Sequence, residues 1–258
     1  MDAVAVRRGH SVSIDIRRVT TPYGFSYADG GWHPYWVTLV EYLDGTNQQP
    51  ETSQLAEFFA RYQPRSASEA LFPSGTRKIT PLLRLDPRDV TVTWTINTRQ
   101  FRSLADPNCP GRHTREVRLA NHNIGPATAS FLRSEFTRLV GILESLQRHG
   151  YRPREFLHGV IEGYFLISGD DYRFIPTEGQ HRLGALRALG IDKIEVIPRF
   201  GLSSLDRRHL HRWTHRYGRP YTLDEARLLF DRFFEVRSRP WGGEHTERRH
   251  GANGAESQ

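Results

Sequence analysis

Cysteine is almost missing from this chain: one residue, Cys109, in 258. A single thiol excludes an internal disulfide framework and a multi-cysteine zinc site. Long apolar runs are missing too, and without about 18 consecutive apolar residues no membrane-spanning helix is expected. The N-terminal stretch Met1–Arg8 has too short an apolar core for a secretory signal. Together these absences point to the cytoplasm. What is present suffices for a buried core. Hydrophobic residues make up 37% and charged residues 25%, and the length suits one large domain or two small ones. Lys+Arg exceed Asp+Glu by 36 − 29 = +7, nearly all of it arginine. Arginine's planar fork of donors suits phosphate and carboxylate groups, so the balance favours an anionic partner, nucleotide or nucleic acid. Because the excess is spread along the chain, general surface basicity accounts for it equally well.

The pattern along the chain predicts an α/β (α+β) fold with a small mixed sheet and flanking helices. Ser11–Val19 alternates and reads as a strand. Tyr23–Pro34 reads as an aromatic, glycine-rich loop, Tyr35–Leu43 and Leu55–Tyr62 as helices, and Val90–Ile96 as a strand. From Arg99 to Gly125 only loop chemistry is visible. The second half is clearer. Leu132, Phe136, Leu139, Leu143 and Leu146 follow one helical face, entered after Gly125-Pro126 and stopped at Gly150. Two short runs, Val160-Ile161 and Tyr164–Ile167, then Tyr172–Ile175, suggest a hairpin about the turn Ser168–Asp171. A helix follows from Thr177 to Gly190, then a strand at Ile194–Ile197. Helices are expected at Ser204–Tyr217 and at Thr222–Val236, the latter with a Thr222/Glu225 capping box. The implied organisation is an N-terminal α+β region over 1–125, a compact module over 126–236 and a disordered tail over 237–258, too polar to order itself.

The segment that carries chemistry is Glu178-Gly179-Gln180-His181-Arg182, between a strand and a helix. A helix start offers unpaired amides and partial positive charge, and phosphate binds there readily. Gly179 permits close approach, and His181 and Arg182 add donors. The same residues also suit an ordinary strand-to-helix connection, with Arg182 solvated and His181 capping. His211 and His215 have metal-capable i,i+4 spacing, but no cysteine or carboxylate completes a set. An amphipathic helix packed through Leu205, Leu210 and Trp213 is the plainer account of that stretch.

With its preceding helix Leu143–Gly150, the strand pair, the Glu178–Gly190 block and the closing strand Ile194–Pro198, the span from about Arg138 to Arg199 resembles the ParB/sulfiredoxin-like domain. The resemblance covers about a quarter of the chain. In that superfamily the equivalent turn holds nucleotide phosphates: CTP in partition proteins, ATP in sulfiredoxins, ADP or ATP in free serine kinases. Sulfiredoxins need a reactive cysteine where Gln180 stands here, and partition proteins continue into a longer DNA-reading region. The serine kinases have an acidic residue at the position of Glu178. The resemblance therefore implies an ATP- or ADP-dependent kinase acting on a hydroxyl of a small molecule. In that role Gly179, Gln180, His181 and Arg182 would cradle phosphates, and Glu178 would serve as base or Mg²⁺ ligand, with Glu162 as a second carboxylate. Glu135 and Arg138 lie on the helix that lines the superfamily's pocket, although an exposed i,i+3 ion pair explains them too. The alternatives are a nucleotide-gated regulatory or DNA-binding protein without catalysis and, with less support from its carboxylates, a nuclease.

Overall fold

The computed structural model describes residues 11–72, 123–155, 159–199, 203–211 and 222–240. The expected strand Val90–Ile96, Cys109 and His215 lie outside the described residues. Within them six helices flank a five-stranded mixed sheet, which is the expected fold class.

The sheet has the order β1-β4-β2-β3. β1 (Val12–Asp15) pairs antiparallel with β4 (Lys193–Pro198). β2 (Ile161–Ser168) and β3 (Asp171–Pro176) form the expected hairpin. The two short runs read at 160–161 and 164–167 are thus one strand. Gly163 interrupts their apolar pattern in the sequence but not the ladder. β4 lies parallel to the start of β2, and β5 (Ser204–Asp206) continues along the same edge of β2, also parallel. Residues Ser204–Asp206 were expected to be helical. Their pairing with Phe165–Ile167 and the burial of Leu205 override that local pattern. A 3-10 turn, Arg207–His209, follows, capped by the Asp206 carboxylate, which accepts from the Arg208 amide at 2.8 Å.

The segment after β1 closes the sheet on itself. Its first edge is β1 against β4. Four residues past β1, Val19 bridges Phe174 of β3 at the opposite edge, and the Thr20 amide donates to the Phe174 carbonyl at 3.0 Å. Ile14, Ile16, Val19, Ile161, Phe174 and Val196 fill the enclosed core. Each fully buried side chain of this size is worth about 2 kcal/mol.

The helices α1 (Pro34–Leu43), α2 (Gln54–Arg61), α3 (Ala67–Leu71), α4 (Ala129–His149), α5 (Gln180–Ala188) and α6 (Leu223–Arg232) start where capping chemistry places them. Thr128 caps α4 by accepting from the Phe131 amide at 3.2 Å, and Gly150 ends it. His33 caps α1 through Nδ1, which accepts from the Tyr35 amide at 3.2 Å, with Pro34 in the first turn. The Thr222/Glu225 capping box is present on α6.

The division expected at residue 125 runs through one sheet and one core. β1 belongs to the sheet of the second half. Phe136, Leu139 and Leu143 of α4 pack in the same cluster as Phe25, Trp32, Tyr35 and Phe58. The tail expected from residue 237 begins with an anchored residue instead. Arg237 is buried, and its carbonyl accepts from the Trp32 amide at 3.1 Å.

Candidate functional site

The turn after β3 is docked on β2 by its backbone. The amides of Thr177 and Glu178 both donate to the Glu162 carbonyl, at 2.8 and 3.3 Å. The two candidate carboxylate residues are thereby brought side by side, and both are exposed. Gly179 then takes the left-handed conformation, φ +85°, at the N-cap of α5. A Cβ there would lie 3.0 Å from Ile161 Cγ1. Lacking a side chain, Gly179 gives no cap to the first-turn amides of α5, which leaves that helix end suited to an outside anion. Gly179→Ala is expected to destabilise the protein by about 1–2 kcal/mol, the cost of a left-handed alanine, measured as a lower urea midpoint. An unchanged midpoint would show that the turn relaxes freely.

From this start α5 runs between α1 and α4, and consecutive residues face different surroundings. The His181 ring turns toward α4. Its Nε2 lies 2.6 Å from Glu135 Oε2, and the ring stacks on Tyr35 with centroids 4.7 Å apart. Glu135 is only 4% exposed. The Tyr35 hydroxyl donates to the same Oε2 at 3.1 Å, and Arg138 Nη1 stands 3.6 Å from Oε1. Burial, reinforced by Glu135, pushes the Tyr35 phenol well above its ordinary range, so it remains a proton donor. Behind this group Tyr27 stacks on His33 at 4.7 Å and donates to the Gln180 carbonyl at 3.4 Å. Two expectations are thereby corrected. Glu135 and Arg138 do pair, but with the carboxylate buried, because Tyr35 and His181 supply donors that compensate its desolvation. His181 neither caps the helix with its side chain nor points out from the turn; it is engaged inward.

Arg182 leaves the helix about 100° further round. It is half-buried and lines a cavity of about 220 Å³ with Ile142, Ser145 and His149 of α4 and with Tyr151 and Arg152 beyond it. Arg138, Ile142, Ser145 and His149 follow i, i+4, i+7, i+11 spacing, so Arg138 shares the helix face that forms this wall. Burial lowers the Arg182 pKa from its ordinary value, yet a guanidinium keeps its charge. Burial likewise raises Tyr151, opposed by the nearby Arg182 cation. Of the residues expected to cradle phosphate, Arg182 lines this cavity beside the basic His149 and Arg152, whereas Gly179, Gln180 and His181 do not. The walls include neither Glu162 nor Glu178. Among the described residues no group of three or more His, Cys, Asp or Glu side chains is placed to hold a metal ion. One or two carboxylates acting together with phosphate oxygens is the arrangement Mg²⁺ commonly takes, and the exposed Glu178–Glu162 edge fits that mode rather than a resident cage.

Sequence reasoning missed Tyr27, His33 and Tyr35 as neighbours of the turn, and Ser145, His149, Tyr151 and Arg152 as walls of the cavity. The aromatic residues carry no local mark of this role. His149 and Arg152 flank Gly150, which had meaning only as a helix stop. Comparison of the chain with family models, with curated proteins and with solved structures finds no match.

Proposed function

We propose that this chain is a nucleotide-binding protein whose phosphate site is the start of α5 together with Arg182, and that it transfers a phosphoryl group from ATP to a hydroxyl of a small molecule. The observation that carries the proposal is the half-buried Arg182 on the first turn of α5, which lines a cavity together with His149 and Arg152. Ligand pockets usually measure about 300–1,000 Å³, so 220 Å³ suits the phosphates, with the base lying outside. The resemblance of residues 138–199 to the ParB/sulfiredoxin-like domain supports the same assignment. In the transfer step the hydroxyl oxygen forms a bond to the terminal phosphorus, the bridging oxygen leaves with ADP, and Glu178 takes the hydroxyl proton. Mg²⁺ held through Glu162 would neutralise phosphate charge while Glu178 serves as the base; with Glu178 as the Mg²⁺ ligand instead, Glu162 is the second carboxylate.

A thermal-shift panel of ATP, ADP and CTP with and without Mg²⁺ tests the binding. A ligand at a hundred times its Kd adds about 2.7 kcal/mol of stability, a rise of several degrees. Arg182→Ala is expected to weaken binding by about 10- to 100-fold, since a charge-assisted hydrogen bond is worth about 1.5–3 kcal/mol. If no nucleotide shifts the melting temperature, the proposal fails.

The exposure of Glu178 and Glu162 outside the cavity favours a second reading, a nucleotide-gated binding protein without catalysis, DNA being one candidate partner. ADP release that depends on a hydroxylated substrate and disappears in Glu178→Ala supports the kinase. Nucleotide binding without turnover, with salt-sensitive DNA binding, supports the second.

A further inference from the structure

We infer that Tyr35 and Glu135 are positioning residues that hold His181 inward, so that the turn meets its anionic ligand through the α5 amides and Arg182 and not through the imidazole. This rests on the nucleotide-binding reading of the turn and specifies how the site is held.

His181 and Arg182 are consecutive on the first turn of α5, so their side chains leave the helix about 100° apart. Fixing one fixes the other. The His181 ring is held by a polar contact and by a stack. Its Nε2 is 2.6 Å from the Glu135 carboxylate, and its face lies on Tyr35 at an interplanar angle of 25°. Tyr35 also bonds the same carboxylate oxygen through its hydroxyl. Glu135 therefore anchors both partners of the stack, and its side chain is 5% exposed, against 16% for His181. The Tyr27 hydroxyl on the Gln180 carbonyl adds a third hold on the same turn, from the N-terminal loop. Arg182, the next residue round the helix, lines the cavity. A His181 that turned outward to a phosphate would give up both its 2.6 Å contact with the buried Glu135 carboxylate and its stack on Tyr35, a loss that burial makes costly. The ligand's charge is met instead by groups whose positions the triad sets, as supporting contacts set a binding geometry in general.

The test uses the full chain, with ATP and Mg²⁺ as the probe. Dissociation constants are measured well below the melting temperature for wild type, Tyr35→Phe, Glu135→Gln and the double variant. Tyr35→Phe keeps the stacked ring, and Glu135→Gln keeps the shape. Each is expected to weaken ATP binding about tenfold, and the double variant to lose little more than the weaker single one, because the two residues act as one unit. A merely structural role would lower the melting temperature and leave the affinity of the folded protein unchanged. A second readout follows the imidazole nitrogens of His181 by NMR of ¹⁵N-histidine-labelled protein, assigned with His181→Gln. Their signals are expected to stay where they are when ATP saturates the site. Wild-type binding with unaffected variants, or His181 nitrogen signals that move to a phosphate-bonded state on saturation, overturns the inference and leaves the nucleotide reading standing. Absence of ATP binding by the wild type overturns both.

Discussion

Arg237→Ala is expected to destabilise the protein by about 3–5 kcal/mol, because it removes two charge-assisted hydrogen bonds to buried carbonyls and leaves a cavity. Arg237 is 3% exposed. Its Nη1 donates to the Tyr23 carbonyl at 2.5 Å and to the Ala70 carbonyl at 2.7 Å, and charge-assisted bonds of this kind are worth about 1.5–3 kcal/mol each. The guanidinium centre lies 4.6 Å from the Phe25 ring and 5.3 Å from Tyr62, contacts that offset part of its desolvation. Nε and Nη2 make no hydrogen bond, so the site is not optimised, and the estimate sits below the sum of its parts. Truncation to alanine also opens a cavity between the loop at Tyr23–Phe25 and α3. The measurement is urea unfolding. Arg237→Met, which keeps the stem and loses the donors, is expected to fall between wild type and alanine. A loss under about 1 kcal/mol for alanine, the size of an ordinary surface change, would mean that the segment after α6 does not clamp the N-terminal loop.

Why that clamp was not legible in the sequence is instructive. Composition treats an arginine among Arg, Gly, His and Glu as solvated, and the aromatic faces that receive Arg237 lie far away in the chain. Where a signal is local, the sequence was a good guide. The 4-3-4-3 spacing of α4 placed Leu139 and Leu143 in the core, and both are 0% exposed. The hairpin and the Thr222/Glu225 box are local patterns and occur as expected. β5 is the opposite case, three residues made into a strand by their partner β2. The turn at Gly179 was legible from its glycine and following helix, but its surroundings were not. Glu135 three residues before Arg138 looks like a surface pair. Its burial depends on Tyr35, 100 residues earlier, and His181, 46 residues later. Its spacing from Leu132, Leu139, Ile142 and Leu146 (i−3, i+4, i+7 and i+11) sets it at the edge of the apolar face, but only the distant partners show why a carboxylate is tolerated there.

Gly184→Ala is expected to cost about 1–2 kcal/mol and to weaken nucleotide binding, and Gly184→Val to cost about 3 kcal/mol and abolish tight binding, a graded loss that locates the crossing of α5 over α1. Gly184 is buried in α5. A Cβ there would lie 2.8 Å from Tyr35 Cβ and 3.3 Å from the Tyr35 carbonyl carbon, so the helices touch backbone to backbone at this point. For alanine, the gain in helix propensity over glycine, up to about 1 kcal/mol, is outweighed by the overlap with Tyr35 Cβ, which sits beside the backbone, so α1 itself must shift. Valine adds two γ-carbons with a stiff χ1, and overpacking of this kind costs about 1–3 kcal/mol. Relief then requires α1 to move outward, and Tyr35 moves with it. Since Tyr35 stacks on His181 and bonds Glu135, such a shift loosens the start of α5 and, with it, the placement of Arg182. Melting temperatures and ATP dissociation constants for the two variants separate these effects. Alanine should lose part of each. Valine should lose both, and a valine variant that melts and binds like the wild type would place the α1–α5 crossing elsewhere.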